Sequence, residues 1–173
     1  MNTKQVLSVM KVVSWVIFIG LCINTGAIII SFLVSLFVNP EAASDLYINL
    51  NMSKLYEYNL WYYISMMSLI IALLALKAYI FFLVIKIFSK IHVNNPFSSN
   101  VAALVYKISY VALSIGVMSI IASSYKMWLV KKDFITPISF GSQEFLFMAG
   151  ILFVVAFIFK RGVEIQNENE LTI

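Results

Sequence analysis

Four long apolar runs occupy most of this chain, at about residues 6–38, 60–88, 101–130 and 145–159. The fourth contains no polar side chain. Roughly 20 helical residues cross the hydrocarbon core of a bilayer. The first three runs exceed that length and must tilt or project into water. A lipid solvent cannot satisfy backbone hydrogen bonds, so only helices or closed barrels span it, and these runs lack the alternation of a barrel. The reading is all-α: an integral membrane four-helix bundle, with the bilayer as its first partner. Composition agrees. Apolar residues make up 62% and charged residues 12%, against about half and a quarter in soluble domains.

Breaker and cap residues place the helices at about 6–38, 60–90, 98–130 and 142–161, in one domain of residues 1–162. Asn39-Pro40 ends the first, and Asn94-Asn95-Pro96 separates the second from the third. Ser98 or Ser99 can cap the third, Thr136-Pro137 interrupts the next loop, and Ser142 can cap the fourth. Gly162 follows Lys160-Arg161 and reads as a C-cap with cations at the negative helix end. The stretch around Cys22 has too large a residue, Leu21, for a lipoprotein box. The first run is also too long for a signal peptide, so it reads as an uncleaved helix.

Lysine and arginine positions set orientation. Lys4, Lys11, Lys86, Lys90, Lys107, Lys160 and Arg161 fall on one side of the layout. Lys54, Lys126, Lys131 and Lys132 fall on the other. The excess predicts that both termini are cytoplasmic. Tyr56, Tyr58, Trp61, Tyr62, Tyr63, Tyr125 and Trp128 then form an outer aromatic belt. Residues 40–47 of the first outer loop read either as a soluble loop or as a short helix lying on the membrane surface.

Small residues at helical spacing suggest packing faces, because close approach and interhelical hydrogen bonds drive association in lipid. They are Gly20, Asn24, Ala27, Ser31 and Ser35 on the first helix, and Ser65, Ser68, Ala72 and Ala75 on the second. On the third they are Ser109, Ala112, Gly116, Ser119 and Ser123.

Lys77 is the one charge deep within a run. It lies about 13 Å of helix from Lys86, too far for its stem to cover alone. An intramembrane charge is a functional candidate with a partner to be found. No run contains an interior carboxylate, which leaves Ser14, Ser109, Tyr106, Tyr110, backbone carbonyls or a water cavity. Lys77 is offset by about 200° from the Ser65–Ala75 face, so it faces another neighbour or a second subunit. It reads either as a hydrated lysine in a cytoplasm-facing cleft or as a transport or ligand residue.

Little else carries chemistry. His92 is a lone loop histidine without the convergent ligands of a metal site. No phosphate loop, serine elbow or zinc helix occurs. The expectation is a non-enzyme without cofactor or metal. Dispersed lysines also lack the basic stripe that direct nucleic-acid binding requires. Residues 163–173 alternate, with Val163, Ile165, Asn167, Asn169, Leu171 and Ile173 on one side and Glu164, Gln166, Glu168, Glu170 and Thr172 on the other. That period-two pattern predicts an acidic, extended cytoplasmic tail. It is either disordered or able to add to a partner's sheet edge.

Two stretches resemble a known family. One is Asn95-Pro96-Phe97-Ser98-Ser99-Asn100-Val101 opening a helix. The other is Phe157-Ile158-Phe159-Lys160-Arg161-Gly162, followed by Gln166 and the closing Leu171-Thr172-Ile173. They are similar to the bacterial membrane family of domain of unknown function 2975, although Ile165 stands where that family often has Leu. The resemblance implies a bacterial cytoplasmic-membrane protein that partners a small helix-turn-helix transcription regulator. Pro96, Phe97, Gly162, Ile165, Gln166, Leu171 and Ile173 then become the candidate partner-binding residues, with self-association left open. The competing reading is a small transport or toxin-immunity protein acting through the bundle and Lys77.

Overall fold

The computed structural model describes residues 3–47, 50–91, 98–132, 134 and 139–170. Its elements are α1 (Thr3–Phe37), a 3-10 helix (Pro40–Ser44), α2 (Ser53–Tyr58), α3 (Leu60–Lys90), α4 (Ser99–Val130) and α5 (Ser142–Glu170). Among the described residues, four helices are long and apolar enough to cross a membrane: α1, α3, α4 and α5.

Local chemistry fixes their ends. The Asn59 side chain accepts from the backbone N–H groups of Trp61 and Tyr62, opening α3. Ser98 accepts from Val101 N–H at 3.3 Å and opens α4, as its position in the sequence suggests. Asn39 accepts from Glu41 N–H, and Pro40 supplies the first residue of the 3-10 turn. Helix α5 starts at Ser142 itself, after Gly141 at φ +58°, a left-handed backbone that suits glycine.

Successive long helices run antiparallel. Ser35 of α1 meets Tyr63 of α3, and their hydroxyls are 2.6 Å apart. Tyr62 of α3 meets Trp128 of α4, with ring centroids 5.2 Å apart. Leu146 of α5 presses on Gly116 of α4, where an added Cβ would lie 2.6 Å from Leu146 Cδ2. Chain order is therefore spatial order: α1 packs on α3, α3 on α4 and α4 on α5. Among the described residues, the backbones of α1 and α5 do not approach within 8 Å, and a cleft lies between them. Because Leu146 sits beside the middle of α4, α5 begins about 15 Å short of α4's far end.

The loop between α1 and α3 carries a short 3-10 helix at Pro40–Ser44, within the segment where the sequence allows one, and it folds back onto the bundle. Ala43, Leu46, Leu50, Met52 and Leu55 are buried, in one cluster with Tyr63 and Met66 of α3. Met52 N–H donates to Ala43 C=O at 2.8 Å, closing the loop on itself. The apolar residues of this segment turn inward as a cap because the ends of α1 and α3 offer them a dry surface.

Two of the three expected packing faces differ. The α4 face is as expected: Ser109, Ala112, Gly116 and Ser119 are buried. On α3, Ser65, Ser68 and Ala75 are exposed, and Tyr63, Met66, Ile70, Leu73, Ile80 and Leu83 are buried instead. On α1 the buried positions are Ser14, Thr25, Ile28 and Ser35, while a Cβ at Gly20 would meet nothing within 4 Å. On α3 the reason is competition between faces: that helix also carries a stripe of large side chains at three- and four-residue steps, and filling the interior with volume outweighs the closer approach that small residues permit. On α1 the buried face is itself mostly small, Ser35 included, and is rotated from the expected one.

The largest correction concerns the end of the chain. Residues 163–170 are not extended: α5 continues through Gly162 to Glu170. Gly162 lies inside the helix and does not cap it. Adding a residue to an existing helix gains a hydrogen bond without a new nucleation cost, and Glu and Gln are good helix formers. Arg161 adds an ion pair to Glu164 at 2.7 Å, one turn on. A lone strand would have had no partner.

Candidate functional site

The open side of the bundle holds a cleft of about 680 Å³. Ile17 and Leu21 of α1 form one wall, and Met148, Leu152 and Val155 of α5 form the other. Ile80 and Val84 of α3, with Val105 and Ile108 of α4, make the floor. Lys77 is the single charged residue of the lining, and every other lining residue is apolar.

The placement of Lys77 follows from helix periodicity. Steps of three and four residues put it on the same face as Leu73 and Ile80, the face of α3 that turns to the interior. It points away from Ser65, Ser68 and Ala75, as the sequence indicates. Side chains on a helix lean toward its N-terminus, so the ammonium leans toward the first turn of α5. There it lies over the Phe145 ring, 5.1 Å from the centroid. Among the described residues, no carboxylate stands within ion-pair distance of it.

The expected partners are engaged elsewhere. Ser14 Oγ donates to Met10 C=O at 2.8 Å, and Ser109 Oγ donates to Tyr106 C=O at 2.7 Å. Both hydroxyl protons are thus used within their own helices. Tyr106 and Tyr110 pack edge-on against Phe153, with centroids 6.4 and 5.0 Å away. The cavity beside Lys77 is apolar, and its ammonium lies against a ring face. A lysine at mid-helix depth in lipid costs about 2.5–3.5 kcal/mol on insertion scales. A desolvated cation–π contact returns about 2 kcal/mol of that. The charge remains without an anion.

Other cations also rest on aromatic rings. Lys132 Nζ lies 4.2 Å from the Trp128 ring centroid and 5.3 Å from that of Tyr62, inside the aromatic belt. Lys86 lies over Phe82 and Lys107 over Tyr79. Lys132 lies just past the end of α4 and Lys86 one turn from the end of α3, whereas Lys77 sits near the middle of α3.

The partner-binding candidates divide. Ile165 is 58% exposed, and Gln166 and Gly162 are half-buried, all on the last turns of α5. Val163 and Glu164 lie beside Ser99 and Ala102, the first turn of α4. The turns beyond them therefore project past the bundle. His92, Pro96, Phe97, Leu171 and Ile173 lie outside the described residues. So do Asp133, Thr136 and Pro137. Among the described residues, no three His, Cys, Asp or Glu side chains gather to hold a metal ion.

Phe145 and the α1–α5 opening were not anticipated from sequence. The α1 face was misread, but a signal for it exists: Ser14, Leu21, Ile28 and Ser35 recur every seven residues, with Thr25 between them, as along a coiled-coil seam. The opening has no such signal, because the outward face of a spanning helix is as apolar as its core face.

Four apolar helices joined in sequence order, with an apolar cleft between the first and the last, describe a multi-pass helical membrane protein. The chain belongs to the family described as protein of unknown function DUF2975, which it matches over residues 47–173. That span includes Lys77, Phe145 and the whole of α5, while α1 precedes it. Comparison with curated proteins and with solved structures gave no match.

Proposed function

We propose that this chain is a non-enzymatic interaction protein of the bacterial cytoplasmic membrane. Both termini face the cytoplasm, and the projecting end of α5 engages a soluble protein partner. The observation that carries this reading is Ile165, a large apolar side chain 58% exposed on a helix that continues past Lys160 and Arg161. Those two cations mark the headgroup level, so the turns after them leave the lipid. Glu164 and Glu168 keep that segment off anionic headgroups. An apolar residue on an acidic amphipathic helix is a feature that a grooved partner recognises. A small helix-turn-helix regulator is the partner the family resemblance favours.

Deleting residues 163–173 leaves membrane insertion intact and abolishes co-purification of the partner from mild detergent. Ile165→Glu does the same with a single change. Full recovery of the partner by both variants contradicts the reading. Orientation is tested separately, by placing a cysteine at Asn169 in a Cys22→Ser background. A membrane-impermeant thiol reagent labels it only after the cells are opened. Labelling in intact cells reverses the topology.

A second reading, a small transport or toxin-immunity protein working through Lys77, is favoured by the cleft. It predicts a flux or toxin-sensitivity phenotype that survives loss of residues 163–173.

A further inference from the structure

We propose that Tyr58, Tyr62 and Trp128 form a binding box for a methylated ammonium group, in which Lys132 sits as an exchangeable internal occupant. The box lies at the end of the bundle opposite the projecting turns of α5, and it does not depend on a partner binding there.

Ring geometry gives the first argument. Tyr58 closes α2, Tyr62 lies in the first turn of α3 and Trp128 in the last turn of α4. The planes of Tyr62 and Trp128 meet at 84°, with centroids 5.2 Å apart, and make two walls of a corner. Lys132 Nζ stands in that corner, 4.2 Å from the Trp128 centroid and 5.3 Å from that of Tyr62. Tyr58 adds a third wall at 5.9 Å. Several ring faces around one cation are the arrangement that holds quaternary ammonium groups, because each ring presents its negative face.

The walls do not need Lys132 to hold them. Tyr125 stacks behind Trp128, with planes 14° apart and centroids 5.8 Å apart, and its hydroxyl donates to Tyr62 C=O at 3.4 Å. Tyr58 packs on the Phe134 ring, 4.7 Å between centroids. The box therefore stands when the lysine leaves, and a ligand has little ordering left to do. Leaving is easy. Lys132 is exposed and lies two residues past the end of α4. Tyr58 and Trp128 are exposed as well, so the box opens outward.

Donor chemistry names the ligand. A lysine ammonium carries three N–H donors. Among the described residues, Lys132 makes no ion pair and no hydrogen bond to protein, only its three ring contacts. Ring faces answer the charge and leave those donors to water. A trimethylammonium group has no N–H to satisfy and meets the rings with methyl groups, so it suits this box better than the lysine does. Free choline and phosphocholine headgroups both carry that group.

The test is equilibrium binding of radiolabelled choline to full-length protein in dodecyl maltoside, a detergent without charge or ammonium. Wild type binds choline saturably. Lys132→Ala vacates the box and tightens binding about fivefold, the factor by which a weakly held internal occupant lowers apparent affinity. Lys131→Ala removes a neighbouring charge without vacating the box and changes affinity by less than about twofold. Trp128→Leu weakens binding about tenfold. Two competitors need wild type alone: the uncharged analogue of choline with carbon in place of nitrogen, and ethanolamine, which keeps three N–H donors. Each displaces the label about tenfold less well than choline does. Size-exclusion profiles check the fold of each variant. A short-chain phosphocholine lipid that outcompetes choline assigns the box to a lipid headgroup, and one that does not assigns it to a free solute; both support the proposal. It is overturned by unsaturable binding, by equal competition from either analogue, by equal gains in Lys131→Ala and Lys132→Ala, or by unchanged affinity in folded Trp128→Leu.

Discussion

On its α4 side, α5 lies so close that Leu146 leaves no room for a Cβ at position 116. On its α1 side, no described backbone approaches within 8 Å, and a cavity fills the space. Both sides are apolar, so hydrophobicity does not distinguish them, and lipid supplies no hydrophobic drive for either. Side-chain size does. Helix α4 presents Ala112, Gly116 and Ser119, each buried. Helix α1 turns its buried Ser14, Thr25, Ile28 and Ser35 to α3 and leaves only Ile17 and Leu21 along the cleft. The same helix is thus fixed where the neighbour is small and left open where the neighbour is bulky.

The harshest way to break that contrast is Gly116→Leu. With an added Cβ 2.6 Å from Leu146 Cδ2, α4 and α5 must separate, at a cost of about 3 kcal/mol. Thermal unfolding in detergent should show it as a marked drop in midpoint. Leu146→Ala, combined with Gly116→Leu, should recover part of the loss, because the nearest atoms belong to the Leu146 side chain.

Lys77→Met tests the open side. It replaces a lone ammonium in an apolar cleft with an apolar chain of similar length, so stability should rise by about 1 kcal/mol. A fall of that size would indicate an anionic partner for Lys77 within the bundle. Tyr63→Phe loosens the anchored end of α1 by removing the hydroxyl 2.6 Å from Ser35 Oγ. The cost should be about 1 kcal/mol, because Ser35 keeps its bond to Phe32 C=O at 2.7 Å. The smallest effect belongs to Gly20→Ala. Nothing lies within 4 Å of the new methyl group, so better helix propensity should leave stability unchanged or raise it by up to about 1 kcal/mol. A loss instead would place a neighbour against α1 at that point.

The four spans were legible because run length and breakers such as Pro40 act locally. Ser98 was legible as a cap for the same reason. The α4 face was readable because Gly116 admits a neighbour that any other residue would repel. The α1 and α3 faces were not read from small residues alone, since Ser65 and Gly20 look outward and Tyr63 and Met66 fill the interior. The end of α5 misled because alternation in residues 163–170 says nothing about the helix already formed before it. Lys77 was recognisable as out of place. Its ring partner, Phe145, was hidden because it lies 68 positions away in a run without polar landmarks.

Cysteine pairs offer the most direct measurement of the open and closed sides. In a Cys22→Ser background, one protein carries Gly116→Cys with Leu146→Cys, and another carries Leu21→Cys with Leu152→Cys. A disulfide needs Cα atoms within about 7 Å. After mild oxidation in membranes, intact mass should show the α4–α5 pair protected from thiol alkylation and the α1–α5 pair alkylated at both sites. Equal protection of the α1–α5 pair would mean that α1 closes on α5 and that the cleft holding Lys77 does not exist in the membrane.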